Sequence, residues 1–414
     1  MNPHRRHLLV GMGAAATLAL FGGVKECGAT PWLWNPCHDR LPPALANHPL
    51  VTTAWKDIDP QQVWDGHAHI AGIGDSDSGI HLSAEMYSLW HPVAFVQRLF
   101  YLNAGCADHA STGQVDQRYI ERLRFLLEGM RPGVKLLLFA FDRAHTEAGQ
   151  PLPEHSTLHV PNAYARSLAL AYPTLFEWVA SIHPYRLDAV AALEQAHAEG
   201  ARAIKWLPPA MGIDPASARC QLFYQTLARF NMPLITHGGE EKAVHGVGKP
   251  EFGNPLRLRR ALDAGVRTIV AHCASIGEDH DDDNGNRRVA SFTLFTRMMD
   301  NPAYRSHLFG DISAITLRNR STEIVRTLVE REEWHGRLLN GTDYPLPGII
   351  PLIRPASFAR AGLLAEDAVP VLHELQTYNP LLFDFVLKRH LVAQGRRLPS
   401  RIFETRGFFE RGSL

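Results

Sequence analysis

The chain has few cysteines and no excess of charge of either sign, and each deficit excludes a class of protein. Five cysteines occur in 414 residues, and none forms the CxxC pair that a thiolate zinc finger requires. Lysine and arginine together number 42, and so do aspartate and glutamate. A net charge of zero gives no electrostatic attraction to a phosphate backbone, so nucleic acid is not expected as a partner.

Histidine, by contrast, is abundant, with 22 copies. Two of them, His67 and His69, stand in WDGHAHI at the end of an apolar run. Side chains at positions i and i+2 of a strand point to the same face, so the two imidazoles project together. A single motif of this kind is more often a histidine-rich turn. Its meaning therefore depends on the residues that stand at the ends of the other strands.

The first residues are typical of a targeting segment. Arg5 and Arg6 precede an apolar stretch of moderate length, which resembles a bacterial twin-arginine export signal. We predict that residues 1–30 are an export signal or a membrane anchor of a periplasmic or envelope-associated protein, and cleavage and retention both remain open. In an oxidising compartment Cys27 and Cys37 either pair or remain free thiols.

Proline is concentrated in the next segment, residues 31–60, which predicts a linker or a surface strap without regular structure. The prolines of this segment are Pro31, Pro36, Pro42, Pro43, Pro49 and Pro60. Within residues 61–392, eight short apolar runs alternate with amphipathic stretches. Runs such as KLLLFAF are apolar at successive positions, as expected for parallel strands buried on both faces. The alternation predicts an α/β fold, a (β/α)8 TIM barrel.

Three segments depart from a minimal barrel. Residues 71–111 form a long, aromatic-rich insertion after the first strand. We interpret this insertion as a lid, an oligomer contact or an additional packed helix. The acidic stretch EDHDDDNGN, residues 278–286, does not have EF-hand spacing and is expected to be a solvated loop. The tail, residues 393–414, is expected to lie across the barrel surface.

Polar residues stand at the ends of several predicted strands, where barrels of this kind carry catalytic groups. These residues are His67 and His69 (strand 1), Lys205 (strand 4), His237 (strand 5), His272 (strand 6) and Asp343 (strand 8). Imidazole nitrogens together with a carboxylate are the ligand set that suits Zn²⁺ and similar divalent ions. The pattern predicts a divalent metal site, with Zn²⁺ as the first choice.

Three further strand-end residues are candidates for supporting roles. His183 after strand 3 and Asp311 after strand 7 are candidates for substrate contact, with a structural role as the alternative for each. Asp65 lies two residues before His67, and we expect it to orient a metal ligand.

The order of these motifs over roughly residues 61–350 resembles the amidohydrolase superfamily, and within it the amidohydrolase-related family of TIM-barrel metal-dependent hydrolases and decarboxylases. The resemblance implies that His67, His69, His237 and Asp343 bind metal. It implies that His272 is either a ligand of a second metal or a catalytic residue near the substrate.

The resemblance also leaves two roles open for Lys205. In a two-metal site it would be carboxylated and bridge both ions; in a single-metal site it would stay cationic and contact substrate or a carboxylate. The sequence NGTDYP around Asp343 is more similar to the single-metal branch.

The function implied is hydrolysis of an amide, ester or lactone carbonyl of a small molecule by a metal-activated water. Asp343 would accept a proton from that water, and His272 would hydrogen-bond the developing oxyanion. A non-oxidative decarboxylase on the same scaffold is one alternative. A catalytically inactive barrel that serves as a binding protein is another. A homo-oligomer is compatible with the sequence, and the substrate is left open.

Overall fold

The computed structural model describes residues 34–410. Each of the eight apolar runs predicted as a strand contains a β-strand. The strands are β1 (Trp64–His69), β2 (His81–Leu82), β3 (Lys135–Phe139), β4 (Leu158–His159), β5 (Phe176–Val179), β6 (Ile204–Trp206), β7 (Leu234–His237), β8 (Thr268–Ala271), β9 (Glu278–Asp281), β10 (Arg287–Ala290), β11 (Leu308–Asp311), β12 (Leu338–Leu339), β13 (Val392–Ala393) and β14 (Arg396–Arg397). Strands β1, β3, β5, β6, β7, β8, β11 and β12 correspond to the predicted runs and are called the central strands.

The central strands form two parallel sheets, ordered β1-β3-β5 and β12-β11-β8-β7-β6. Single parallel bridges join the two sheets on both sides: Ala180 with Ile204, and Ala68 with Tyr344. At the second junction the Asp343 N–H donates to the His67 carbonyl at 2.8 Å. The chain is therefore mixed α/β with parallel strands in sequential order, but the hydrogen-bonded ladder is interrupted and no continuous closed sheet forms.

An inner cluster of apolar side chains fills the space between the central strands. Its members are Trp64, Leu137, Phe139, Val179, Ala203, Ile235, Ile269, Leu339 and Phe409, with Phe309 packed against them. In β3, Leu137 and Phe139 belong to this cluster, while Leu136 and Leu138 pack in the larger core outside it. Because successive side chains point to opposite faces, a strand buried on both faces must be apolar at every position, as the sequence runs are.

Helices surround the strands. They are α1 (Pro43–Ala46), α2 (Pro49–Ala54), α3 (Pro92–Ala104), α4 (Val115–Glu128), α5 (Asn162–Ala171), α6 (Ala189–Ala198), α7 (Pro208–Met211), α8 (Gln221–Arg229), α9 (Arg259–Asp263), α10 (Ser291–Asp300), α11 (Thr322–Glu330), α12 (Pro355–Arg360), α13 (Ala368–Tyr378), α14 (Pro380–His390), α15 (Ser400–Phe403) and α16 (Arg406–Phe409). Helix α14 begins with Pro380 after Asn379, whose side chain accepts hydrogen bonds from two backbone N–H groups, a strong helix start.

The insertion after β1 contains a packed helix, α3. This helix reaches the loop that follows β7: the Tyr101 hydroxyl donates to the Ala243 carbonyl, and Gln97 Nε2 donates to the Lys242 carbonyl, each at 3.0 Å. The insertion thus holds a second loop in place beside the carboxyl ends of the central strands. Its interpretation as a lid or an oligomer contact stays a prediction.

Both alternatives for Cys37, pairing with Cys27 and a free thiol, are wrong, because Cys37 forms a disulfide with Cys106. Cys27 lies outside the described residues, as does the predicted targeting segment. Hydrogen bonds between Asn35 and Asn103 align the two chain segments: the Asn35 N–H donates to Asn103 Oδ1 at 2.8 Å, and Asn103 Nδ2 donates to the Asn35 carbonyl at 3.2 Å. The disulfide between Cys37 and Cys106 ties the proline-rich segment to the insertion.

Three segments differ from their predicted form. The proline-rich segment contains the short helices α1 and α2, and both begin at a proline, where its fixed φ and missing N–H are tolerated. The first part of the acidic stretch is a strand, β9 (Glu278–Asp281), that pairs with β10, whereas residues 282–286 form the exposed turn of this hairpin, as the solvated-loop prediction expected. In the tail, Phe403 enters the larger core and Phe409 the inner cluster, so the tail fills interior space as well as covering surface.

Within residues 34–410, no helix has both the length and the apolar content needed to cross a bilayer.

We predict that the Cys37–Cys106 bond stabilises the native fold. The two residues are separated by 69 positions, and closing a loop of that size lowers the entropy of the unfolded chain, so Cys37→Ser should lower the free energy of unfolding by about 2–4 kcal/mol. Urea denaturation under non-reducing conditions measures the change. Cys106→Ser, which breaks the same bond, should cause the same loss, and a Cys37→Ser variant as stable as the parent would contradict the prediction.

Candidate metal centre

Three buried side chains from different strands converge at the carboxyl ends of the central strands. His67 lies on β1, His272 directly follows β8, and Asp343 lies four residues after β12. One ligand atom from each lies within 4.8 Å of the others. The side chains come together because the carboxyl ends of sequential parallel strands share one end of the fold.

His69 extends this group. Its Nε2 lies 3.0 Å from Asp343 Oδ1 and 3.3 Å from His67 Nε2. Its side chain retains 26% of its exposure, whereas that of His67 is fully buried. The WDGHAHI motif thus places one imidazole in the interior and one at the edge of the open space.

The hydrogen bonds of His67 fix which ring nitrogen carries the proton. Its Nδ1 lies 2.9 Å from Asp311 Oδ2, and an ionised carboxylate only accepts hydrogen bonds, so Nδ1 is the protonated nitrogen. The unprotonated Nε2 lies 3.4 Å from Asp343 Oδ1 and 3.3 Å from Lys205 Nζ. An unprotonated imidazole nitrogen beside an ionised carboxylate is an arrangement that a divalent cation bound by both would stabilise.

His272 is oriented in the same way. Its Nδ1 lies 3.1 Å from the Ser313 carbonyl and 2.7 Å from Ser313 Oγ, which makes Nδ1 the donor. Its Nε2 lies 3.7 Å from Asp343 Oδ2. Both carboxylate oxygens of Asp343 therefore have an unprotonated imidazole nitrogen beside them.

The protonation states suit metal ligands. Burial, with the nearby Lys205 ammonium acting in the same direction, lowers the pKa of His67 to about 4. Burial also lowers the pKa of His272 well below its usual value. Burial alone would raise the pKa of Asp343, but the surrounding imidazoles, that of His272 first, hold it well below the usual value. At neutral pH the imidazoles of His67 and His272 are therefore neutral and the carboxylate of Asp343 is ionised.

Asp311 holds the two interior histidines in position. Besides the Nδ1–H of His67, its carboxylate accepts the backbone N–H of His272 at 2.9 Å and that of Ser313 at 3.0 Å. It also accepts a short hydrogen bond from the Ser313 hydroxyl. Asp311 does not line the cavity that opens above these ligands, so its placement favours the structural alternative over substrate contact.

Asp65 acts on the backbone rather than on an imidazole. Its carboxylate accepts the His67 N–H at 3.1 Å, the Thr342 N–H at 2.8 Å and the Thr342 hydroxyl at 2.6 Å. These bonds join β1 to the segment that carries Asp343. Gly341 permits the close approach there, because a Cβ at that position would lie 2.5 Å from the Cβ of His67.

The backbone at the centre is strained. His272, Cys273 and Ala274 have φ values of 56°, 53° and 49°, and Asp343 has a φ of 60°. Left-handed conformations cost residues with a Cβ roughly 1 kcal/mol or more each. Such strain is typical of functional sites, where the surrounding structure holds a side chain in one direction.

Lys205 is buried beside the metal ligands. Its Nζ lies 3.3 Å from His67 Nε2 and 5.2 Å from the centre of the Phe139 ring. Burial lowers its pKa. Both of its predicted roles, substrate contact and metal bridging, stay predictions.

His237, a predicted metal ligand, is not part of the group of His67, His272 and Asp343. His237 lines the same cavity, but its Nδ1 lies 3.3 Å from Glu241 Oε2 and its Nε2 lies 3.2 Å from the Glu240 carbonyl. Both nitrogens therefore contact the loop after β7, and its role as a ligand stays a prediction.

His183 lies away from the cavity. Its Nε2 donates to the Met211 carbonyl at 3.0 Å, and its Nδ1 accepts the Tyr185 N–H at 3.2 Å. With both nitrogens bonded to backbone and the pKa lowered to about 3 by burial and by neighbouring His145, His183 occupies a structural position.

A cavity opens above His67, His272 and Asp343, and its empty space amounts to about 890 Å³ when the open mouth is included. Three residues that the sequence pattern did not indicate line it: Tyr101, Glu241 and Arg320. Ser313, also not indicated, contacts both interior histidines. Ser313 stands two positions after Asp311 and was detectable from strand periodicity. The other three lie outside the central strands, where no periodic signal marks them.

Neither a family model nor a curated protein matches this chain. Solved structures resemble it at low identity. An uncharacterised TIM-barrel protein from Bordetella bronchiseptica is 16% identical, with 78% of this chain and 99% of that chain covered and a TM-score of 0.45. A probable 2-pyrone-4,6-dicarboxylic acid hydrolase from Acinetobacter baumannii is 13% identical, with 79% and 99% covered and a TM-score of 0.40.

A 5-carboxyvanillate decarboxylase from Sphingomonas paucimobilis is 10% identical, with 76% of this chain and 98% of that chain covered and a TM-score of 0.42. The first of these three structures is named as a TIM-barrel protein, and all three TM-scores lie below 0.5.

We predict that His67 makes the stability of the metal-free protein depend on pH. Its pKa is about 4 when folded and 6.5 otherwise, so between these values the unfolded chain binds more protons and folding stability rises with pH. Relative to His67→Gln, the free energy of unfolding of the parent should rise by on the order of 1 kcal/mol per pH unit between these two pKa values. Urea denaturation in the presence of a chelator measures the gain.

Other buried groups titrate in the same pH range. Their contributions to stability are present in both the parent and His67→Gln, so they cancel when the two profiles are subtracted. Burial raises the pKa of Asp65 to about 6 and that of Asp384 to about 7, which acts in the opposite direction in both proteins. His109, whose side chain is 89% exposed, provides the control variant His109→Gln. Parallel profiles for the parent and His67→Gln would contradict the prediction.

Proposed function

We propose that the chain is a metal-dependent hydrolase whose active site lies at the carboxyl ends of a (β/α)8 barrel. The observation on which this rests is the convergence of His67, His272 and Asp343, each of which has one ligand atom within 4.8 Å of the others. His272 and His69 present further nitrogens to the same carboxylate. Neutral imidazoles and one carboxylate are a donor set that fits Zn²⁺ or a similar ion.

In this proposal His67, His69, His272 and Asp343 hold the ion, and His237 is a further candidate. A divalent cation bound there would polarise a substrate carbonyl and acidify a water molecule. The inner cluster and the loops around the cavity limit the access of bulk water, which strengthens electrostatic interactions at the site.

Asp343 supplies the proton transfer. Its carboxylate is ionised and borders the cavity, so it can accept a proton from water and donate it to the leaving group. The orientation of His272 supports a ligand role rather than donation to an oxyanion. Its proton is on Nδ1, which bonds to Ser313, and its Nε2 therefore has no hydrogen to donate.

We propose a single ion per chain. A second ion would need nitrogen ligands from His237, and both of its nitrogens contact the loop after β7. Lys205 in its cationic form lies against His67 and the Phe139 ring, which is compatible with a lysine that is not carboxylated.

We also propose that the protein is exported through its N-terminal segment. Disulfides are typical of oxidising compartments, and the Cys37–Cys106 bond supports this assignment. The mass of the N-terminus in protein recovered from the periplasm distinguishes cleavage from retention, and recovery from the cytoplasm alone would contradict export.

We predict that Asp343→Asn lowers kcat by about 10²–10⁴, because an amide cannot accept the proton. Metal content should fall less than in His67→Ala/His69→Ala, which removes two ligands. Turnover of esters, lactones and amides is measured together with bound metal. Asp282→Asn, at an exposed acidic residue, is the control.

Normal turnover in Asp343→Asn would remove that residue from proton transfer. Release of carbon dioxide from aromatic carboxylates without hydrolysis of any carbonyl substrate would replace the hydrolase by the decarboxylase. Loss of the circular-dichroism signal together with metal in the double histidine variant would show that the site is structural.

We predict one divalent ion per chain in the parent and in Lys205→Ala, with activity indifferent to added bicarbonate. The ammonium group is not a metal ligand, so its removal leaves the donor set intact. Elemental analysis of purified protein measures the ratio. Two ions in the parent that fall in Lys205→Ala, with partial restoration by a short carboxylic acid, would support the carbamate instead.

A further inference from the structure

Arg320 is a cation in the wall of the cavity without an ion-pair partner. Its Nη1 donates to Ser275 Oγ at 2.6 Å, and its Nε is buried with no hydrogen-bond partner. No carboxylate of residues 34–410 lies within 4.0 Å of the guanidinium. Arg320 is half-buried, and a cation at such a position is stabilised when an anion pairs with it, because partial burial removes part of its hydration.

The guanidinium nevertheless stays charged. Burial lowers the pKa of Arg320 to about 10, and the more distant carboxylate of Asp343 opposes this change. A group with that pKa is protonated at neutral pH. The cavity therefore contains a full positive charge that faces no anion of the described chain at ion-pair distance.

Two acidic residues of the loop after β7 also border the cavity. Glu241 Oε2 lies 3.3 Å from His237 Nδ1, and its Oε1 accepts the Val244 N–H at 2.9 Å. Glu240 forms an ion pair with Lys242 at 3.1 Å. The charge of Glu241 acts on Arg320 from beyond ion-pair distance, so the remaining donors of the guanidinium are available to a bound molecule.

Lys205 is a poorer site for an anion. Its Nζ already lies 3.3 Å from His67 Nε2 and faces the Phe139 ring, at the floor of the cavity among the metal ligands. Arg320 belongs to the loop after β11, and its five donors match a planar carboxylate. An anionic group at Arg320 leaves the floor free for the reacting part of the molecule.

Much of the remaining wall is apolar. Ile70, Phe141, Leu158, Leu207, Ile276 and Leu317 line it. Such a surface favours a hydrocarbon or aromatic body over a sugar or a peptide backbone, whose polar groups would lose their hydrogen bonds to water. The ligand therefore has an apolar body with an anionic group at one end.

We propose that the cavity binds a small organic acid whose carboxylate pairs with Arg320 while its apolar body lies against Phe141 and Leu207. Ser275 holds the guanidinium through its Oγ and fixes its direction. This inference deepens the proposed function, since the reacting bond would lie at the metal ligands. The anion site itself consists of residues that bind no metal, and it is testable on metal-free protein.

The test uses a matched pair of probes, 3-phenylpropanoate and its neutral amide, titrated calorimetrically into metal-loaded and metal-free protein. The parent should bind the acid more tightly than the amide in both forms. Arg320→Met should raise the Kd of the acid by about 10- to 100-fold, as expected for a lost charge-assisted hydrogen bond, and change that of the amide less than threefold. Arg320→Lys should recover part of the affinity.

The matched control is Arg318→Met, an exposed arginine in the same loop, which should bind both probes as the parent does. Equal affinity of the acid for the parent and Arg320→Met would overturn the proposal. If circular dichroism shows that Arg320→Met does not fold, the test uses the affinities of the parent and of Arg320→Lys for the acid and the amide. Tighter binding of the amide than of the acid by the parent would then overturn it.

The two proposals fail separately. A protein that retains no metal but binds the acid through Arg320 would refute the hydrolase and leave the anion site standing. A metal-loaded, active protein whose acid binding is indifferent to Arg320 would refute the anion site alone.

Discussion

The carboxylate of Asp311 is the constraint on which the candidate centre depends. It accepts the Nδ1–H of His67 and the backbone N–H of His272, so one buried anion fixes a side chain from β1 and a turn after β8. By fixing the proton of His67 on Nδ1, it leaves Nε2 free to ligate a cation. The left-handed turn at His272 is also held by this bond, since it anchors the first residue of the turn.

A second buried carboxylate aligns the opposite side of the centre. Asp65 joins the backbone of His67 to Thr342, next to Asp343. This junction is where the two sheets meet through a single bridge, so side-chain hydrogen bonds replace the missing part of the ladder. The two aspartates thus position the ligands from both sides, while the inner cluster supports the centre from below.

The cavity above the centre is built by segments that do not belong to the central strands. Helix α3 of the insertion holds the loop after β7 through Tyr101, and that loop pairs its own acidic residues locally. Arg320, from the loop after β11, has no carboxylate at ion-pair distance among residues 34–410. In parallel α/β folds the loops around a site commonly decide its specificity, while the strands position its floor.

The sequence by itself determined the eight central strands and the convergence of His67, His272 and Asp343. These depend on local periodicity and on the rule that parallel strands place their carboxyl ends together. Only the tertiary structure decided that Asp311 orients ligands, that Cys37 pairs with Cys106, that His183 bonds to backbone outside the cavity, and that Arg320 lies unpaired in its wall. Each of these depends on contacts between residues distant in sequence, and residue type and spacing carry no information about which distant groups meet.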